Sequence, residues 1–161
     1  MRMIAPGEVA PDFELESSEG GTVRLYDLLE RNAVVVLAFY VLDFSPTCCG
    51  ELAQFEARRE EFAAMGAAIV GVSVDSVDSH REFSALQKLR FPLASDFGRE
   101  VTGLYAGFYD EVAGVREVGR RAVVVVGRSR TVEWVWAAEH PSQAPDLEEV
   151  RVAIQEIFHG D

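Results

Sequence analysis

The sequence predicts an α/β fold, with a mixed central sheet flanked by helices on both faces. Three observations predict it. Residues 33–40 (AVVVLAFY) and 67–74 (AAIVGVSV) are continuous apolar runs rich in β-branched residues, as in strands buried on both sides. Segments with helical periodicity follow each run and also close the chain. Between them, RAVVVV and TVEWVW flank the turn-like GRSR and read as a β-hairpin.

Each element has a local reason. APGEVAPDFEL reads as an extended N-terminal arm, because Pro6 and Pro11 resist helix while Phe13 and Leu15 alternate with charges. GTVRLYDLL reads as a short strand followed by a turn. After the first buried strand, LDFSPT interrupts the apolar pattern. A helix is expected from about Thr47 to Met65, with Leu52, Phe55, Phe62 and Met65 near one face. The second buried strand is followed by SVDSHREFSALQKL, a helix starting near Asp78 or Ser79. FPLASDF is a short extended piece, and GREVTGLYAGF a short helix or turn. The hairpin comes next, and APDLEEVRVAIQEIF closes the chain as a helix with Asp146 as N-cap. The order, one βαβ unit and then ββα, fits a thioredoxin-like core.

The chain has 161 residues, 48% of them hydrophobic and 26% charged, as expected of one globular domain spanning residues 1–161. Its formal net charge of -12 argues against a nucleic-acid or anionic-membrane surface, since like charges repel at long range. No stretch reaches the roughly 18 apolar residues of a membrane span. The N-terminus lacks the apolar run of a signal peptide. The expected compartment is therefore the cytoplasm, a reducing setting where a retained cysteine is often chemical.

The chemistry concentrates in SPTCCGEL, which holds the only two cysteines, Cys48 and Cys49. They have no spacer, and His80, His140 and His159 show no ligand spacing, so no metal site is expected. Adjacent cysteines close only a strained ring, and in a helical turn their side chains point about 100° apart. A dithiol of the C-x-x-C type is absent, because position 51 is Glu51. One working thiol remains. Counted around the helix, Leu52, Phe55 and Phe62 fall within about 40° of Cys48, while Cys49 is turned off that inward stripe. A thiol at a helix N-terminus feels the positive end of the dipole, which favours the nucleophilic thiolate. Position alone does not separate this reading from an inert buried cysteine.

FYVLDFSPTCCGELAQF resembles the active-site segment of peroxiredoxins, in which a strand ends in P-x-x-x-(T/S)-x-x-C. VAPDFEL, IVGVSVDSVDSHREF, FPLASDFGREVTGLYA and RRAVVVVGRSRTVEWVW resemble further segments of that family, in the same order. The resemblance spans roughly residues 6–158. It implies a thiol-dependent peroxidase of the bacterioferritin-comigratory or one-cysteine alkyl hydroperoxide reductase E type. Cys48 would be the peroxidatic thiol, passing through a sulfenic acid, and Ser45 the hydroxyl position. Arg121 would lower the thiol pKa and hold peroxide oxygens, with Arg120 as the alternative should the strand phase differ. Glu51 would orient that arginine. Phe39, Tyr40, Phe44 and Thr47 are candidates for lining the substrate site, with Trp134 and Trp136 as weaker ones.

The usual proline of the motif falls at Val41, which leaves loop rigidity open. A resolving cysteine five residues on would fall at Ala53, and IQEIFHGD has none near the C-terminus. Resolution is therefore expected from an external thiol: thioredoxin, glutaredoxin or a low-molecular-weight thiol. Cys49 is a possible resolving or modified thiol, or a small apolar filler, and a Cys48–Cys49 vicinal disulfide is the rival mechanism. A peroxide sensor or thiol relay shares the same site and differs in turnover, and an inactive binding module is a further alternative. No cofactor is expected. The family likeness suggests a homodimer.

Overall fold

The structure, a computed structural model, describes residues 3–159. The N-terminal arm leads into β1 (Glu14–Ser17) and β2 (Thr22–Arg24), then α1 (Leu25–Arg31). β3 (Val34–Phe39), α2 (Pro46–Ala57), α3 (Arg59–Ala64) and β4 (Ala67–Ser73) form the first crossover unit. α4 (Val77–Gln87), β5 (Leu93–Ser95) and α5 (Glu100–Tyr105) follow. The chain ends with β6 (Phe108–Val112), β7 (Val115–Gly119), β8 (Ala122–Gly127), β9 (Val132–Ala137) and α6 (Leu147–His159).

Seven strands make one mixed sheet in the order β2-β1-β5-β4-β3-β8-β9. β3 pairs parallel with β4, and β4 with β5, while β8 runs antiparallel beside β3. Every residue of β3 and β8 is buried. Alternation then sorts their side chains into two cores. Val34, Val36, Val123 and Val125 join Leu52, Phe55, Phe62, Phe83, Val150 and Ile154 on one face. Val35, Leu37, Val124 and Val126 join Phe13, Leu25, Leu29, Val101 and Tyr105 on the other. Each fully buried Leu, Val or Phe contributes about 1.5–3 kcal/mol before chain entropy is counted. This is the expected mixed sheet with helices on both faces.

Several local expectations are corrected. The segment read as a turn after β2 is helix α1, whose Leu25 and Leu29 sit one turn apart and are both buried. The single helix expected to Met65 is two, broken at Arg58, where the backbone (φ -103°, ψ 7°) leaves the helical region. Arg58 ties this break to Glu61 and to Glu148 of α6. The α4 cap is Ser76, whose hydroxyl accepts the Ser79 N–H at 3.2 Å, rather than Asp78 or Ser79. Asp146 does cap α6, accepting the Glu148 N–H at 2.9 Å.

The β6–β7 hairpin has no counterpart in the sequence reading. Its turn places Ala113 (φ 51°) and Gly114 (φ 82°) both left-handed, as a two-residue hairpin turn demands. Only Val118 and Gly119 of β7 are buried, so the apolar alternation that normally betrays a strand is weak there.

Candidate active site

The site forms where β3 ends. The Tyr40 N–H still bonds the Val72 carbonyl at 3.0 Å, and then the chain leaves the sheet. Phe44 turns it through a left-handed conformation (φ 68°), unusual for a side chain of this size. Ser45 caps α2, its Oγ accepting the Cys48 N–H at 3.3 Å, and Pro46 takes the first helical position, where its missing N–H costs nothing. Cys48 is therefore the third residue of a 12-residue helix, 0% exposed, at the positive end of the dipole.

Glu51 lies one turn further on the same helix face. Its Oε2 accepts from Arg121 Nη1 at 2.9 Å, and both side chains are buried. Arg121 immediately precedes β8, whose first residue, Ala122, pairs with Phe39 at the end of β3. Its Nε and Nη2 both donate to the Pro141 carbonyl, at 3.1 and 2.9 Å. Cys48 is near enough to favour the charged form of Arg121. Burial works against the Arg121 charge, but Cys48 and Glu51 more than offset it, and Arg121 is held above the ordinary arginine value. For Glu51 the balance goes the other way. Burial outweighs the attraction of Arg121 and pushes its carboxyl up to about 7, and Oε1 has no hydrogen-bond partner.

Burial separates the two arginines, which both lie between β7 and β8: Arg121 is 1% exposed, while Arg120 is only half-buried. Cys49 is also half-buried, and both cysteines are free thiols. Burial, followed by Cys48 and Asp43, raises the Cys49 thiol. That keeps it protonated and blunts it as a nucleophile.

The expected lining residues divide. Thr47 is half-buried beside Cys48 on the first turn of α2, and Phe44 is half-exposed with its ring edge-on to Phe83, centroids 5.0 Å apart. Phe39 is a correction. It points through the sheet into the opposite core and stacks on Tyr105, because odd-numbered residues of β3 face away from Cys48. Tyr40 shares the Cys48 core but is fully buried, its hydroxyl taken up by Asp43. Trp134 and Trp136 pack on that core as partly buried residues of β9.

Sequence reasoning missed three supports. The Pro141 carbonyl, after β9, left no signal because any residue supplies one. Tyr109 of β6 accepts the Arg121 backbone N–H at 3.4 Å and donates to the Ala138 carbonyl at 2.8 Å. The third support is a buried cluster behind the Cys48 loop. His80 shows no ligand spacing in the sequence, yet ligating atoms of Asp43, Asp75 and His80 lie within 4.8 Å of one another. Each of those atoms is already engaged in protein hydrogen bonds.

Comparison with known proteins gives a consistent picture. The sequence profile of the AhpC/TSA family matches residues 6–135. A Bacillus subtilis protein named peroxiredoxin Bcp is 40% identical over 93 residues, which cover 58% of each chain. A Helicobacter pylori (strain J99) protein whose name includes peroxiredoxin bcp is 38% identical over 108 residues, covering 67% of this chain and 70% of its own. The crystal structure of peroxidoxin BcpB from Mycobacterium tuberculosis superposes with a TM-score of 0.81 at 27% identity, over 98% of both chains. The bacterioferritin comigratory protein of Xanthomonas campestris, described by its alkyl peroxide reduction activity, superposes at 0.75 with 27% identity over 92% of both chains. The fold is thus thioredoxin-like, as the element order suggested.

Proposed function

Because the chain belongs to the AhpC/TSA family and is a peroxiredoxin, a thiol-dependent peroxidase, we propose that Cys48 is its peroxidatic thiol and that an external thiol completes the cycle. One observation carries this reading: a buried cysteine at a helix N-terminus faces an arginine fixed from two sides, by Glu51 and by the Pro141 carbonyl.

The Cys48 thiolate attacks the distal oxygen of a hydroperoxide. The S–O bond forms as the O–O bond breaks, and the leaving alkoxide or hydroxide takes a proton to become alcohol or water. Cys48 is left as a sulfenic acid. Arg121 supplies donors to both peroxide oxygens and opposes the charge growing on the leaving one. Ser45, the capping hydroxyl, and Thr47 complete the polar wall. Glu51 acts through Arg121 by fixing the fork, so it is a positioning residue. A first external thiol then condenses with the sulfenic acid, releasing water. A second thiol reduces the mixed disulfide and restores Cys48. The raised Cys49 thiol favours this external route over a neighbour attack, which would also have to bend the first turn of α2.

The description of the X. campestris protein supports alkyl hydroperoxides as substrates beside hydrogen peroxide. We further assign a homodimer, for which the exposed Phe44 and Phe97 provide apolar surface, and a reducing, cytoplasmic setting that supplies the thiols. No helix among the described residues is long and apolar enough to cross a membrane.

Steady-state consumption of hydrogen peroxide and of an alkyl hydroperoxide, with thioredoxin, glutaredoxin or dithiothreitol as donor, tests the proposal. Turnover that persists in Cys49→Ser and vanishes in Cys48→Ser supports it. A single oxidation that never recycles with any thiol contradicts it and favours the sensor reading.

A further inference from the structure

Behind the Cys48 loop lies a buried hydrogen-bonded cluster that the peroxide chemistry does not use. Its centre is Asp43, in the loop between β3 and α2, two residues before the Ser45 cap. Asp43 Oδ1 accepts from the Tyr40 hydroxyl at 2.6 Å. Oδ2 accepts from the Ser79 hydroxyl at 2.8 Å and lies 2.8 Å from His80 Nδ1. The Asp43 N–H donates to Asp75 Oδ2 at 2.9 Å, and Asp75 is held in turn by the Ser73 hydroxyl at 2.6 Å. His80 Nε2 is 3.1 Å from the Ala94 carbonyl of β5. His80 and Tyr40 are 0% exposed and Asp43 is 8% exposed.

Proton counting makes this cluster informative. A bare Nδ1 lone pair facing a carboxylate oxygen across 2.8 Å would be repulsive and would not persist in a dry interior. A proton therefore lies between His80 Nδ1 and Asp43 Oδ2, and the Tyr40 hydroxyl stands 3.2 Å from the same nitrogen. The ionisable groups near this pair are Tyr40, just after β3, Asp75 from the β4–α4 loop and Cys49 from α2.

We propose that this proton-bridged Asp43–His80 pair is the positioning device of the peroxidatic loop. It clamps Asp43 to α4 and, through Ala94, to β5. The clamp and the Ser45 cap then bracket Phe44, the one residue between Asp43 and Ser45, and hold it in its left-handed conformation. Cys48 is presented to Arg121 only while both ends are fixed. Asp43 and His80 touch neither peroxide nor sulfur, so they are positioning residues, and the functional half of the inference rests on the peroxidase reading above.

Two measurements separate the inference from that reading. In the first, proton and nitrogen-15 spectra of the full chain labelled at histidine are recorded at pH 7. The pair predicts a solvent-protected bridging proton on His80, lost in Asp43→Ala. A His80 with no such proton overturns the proposal whether or not the protein is a peroxidase. In the second, single-turnover oxidation of Cys48 by hydrogen peroxide is followed alongside thermal stability. Asp43→Ala should slow oxidation about tenfold, because the attacking sulfur loses its fixed orientation. Asp43→Asn should restore most of the rate, since its amide can donate to Nδ1 and its oxygen can accept from Tyr40. If Asp43→Ala fails to fold, Tyr40→Phe, which removes one donor, should slow oxidation in the same direction by about threefold. Wild-type oxidation rates in folded Asp43→Ala, or in Tyr40→Phe where Asp43→Ala does not fold, assign the cluster to folding alone and overturn the positioning role.

Discussion

Replacing Glu51 by Gln tests the electrostatics of the site through stability rather than activity. The substitution keeps the size of the side chain and an acceptor for Arg121, but removes the ionisation. In the fold, burial outweighs the attraction of Arg121 and raises the Glu51 carboxyl from its ordinary 4.5 to about 7. At roughly 1.4 kcal/mol per pH unit, ionising it in place costs about 3 kcal/mol more than in the unfolded chain. The sign follows from the raised value. The native state binds this proton more tightly, so the contribution is complete below pH 4.5 and is lost as pH rises through about 7. Urea unfolding of wild type and Glu51→Gln at pH 5, 6, 7 and 8 reads the difference. Relative to the variant, wild type should lose about 3 kcal/mol between pH 4.5 and 8, most of it between 5 and 7. Parallel curves would refute the reasoning. A wild type that gains on the variant as pH rises would show Arg121 dominating burial.

Two further substitutions probe the frame. Arg121→Lys retains a charge but loses the fork that reaches Glu51 and Pro141 together, so kcat/KM for peroxide should fall about 100-fold while the fold survives. An unchanged kcat/KM would remove Arg121 from the reaction. Gly71→Ala should destabilise the protein by about 1–3 kcal/mol in urea melts, because its Cβ would lie 2.7 Å from Leu93 Cδ2 and 3.3 Å from Tyr40 in a filled core. A neutral result would mean that Leu93 can yield.

The fold was readable where burial is two-sided. β3, β4 and β8 are rich in β-branched residues because helices or other layers cover the sheet, and that density survives in a single sequence. The β6–β7 hairpin was not readable, since its exposed residues carry no apolar alternation. α1 had its signal in the Leu25–Leu29 spacing, but seven residues give too short a window for a period to stand out. In the site, Ser45, Cys48 and Glu51 share one helical turn and its cap, so their proximity is a matter of counting. Arg121 is 70 positions from Glu51 and was placed by family likeness, and only the pairing of β8 with β3 brings them together. Asp43, His80 and the Pro141 carbonyl were invisible for the same reason. Their contacts join residues distant in sequence, and each alone looks like an ordinary loop or helix residue. Phe39 and Tyr40 show how one step along a strand changes the outcome: adjacent aromatic residues enter opposite cores.

The most direct measurement is the intact mass of the reduced protein after one equivalent of hydrogen peroxide, with and without a sulfenic-acid trap, in wild type, Cys48→Ser and Cys49→Ser. The account predicts a trapped sulfenic acid in wild type and Cys49→Ser that is absent from Cys48→Ser. A monomer about two mass units lighter, with no trap adduct and dependence on both thiols, would instead identify a Cys48–Cys49 disulfide and contradict the external-thiol cycle.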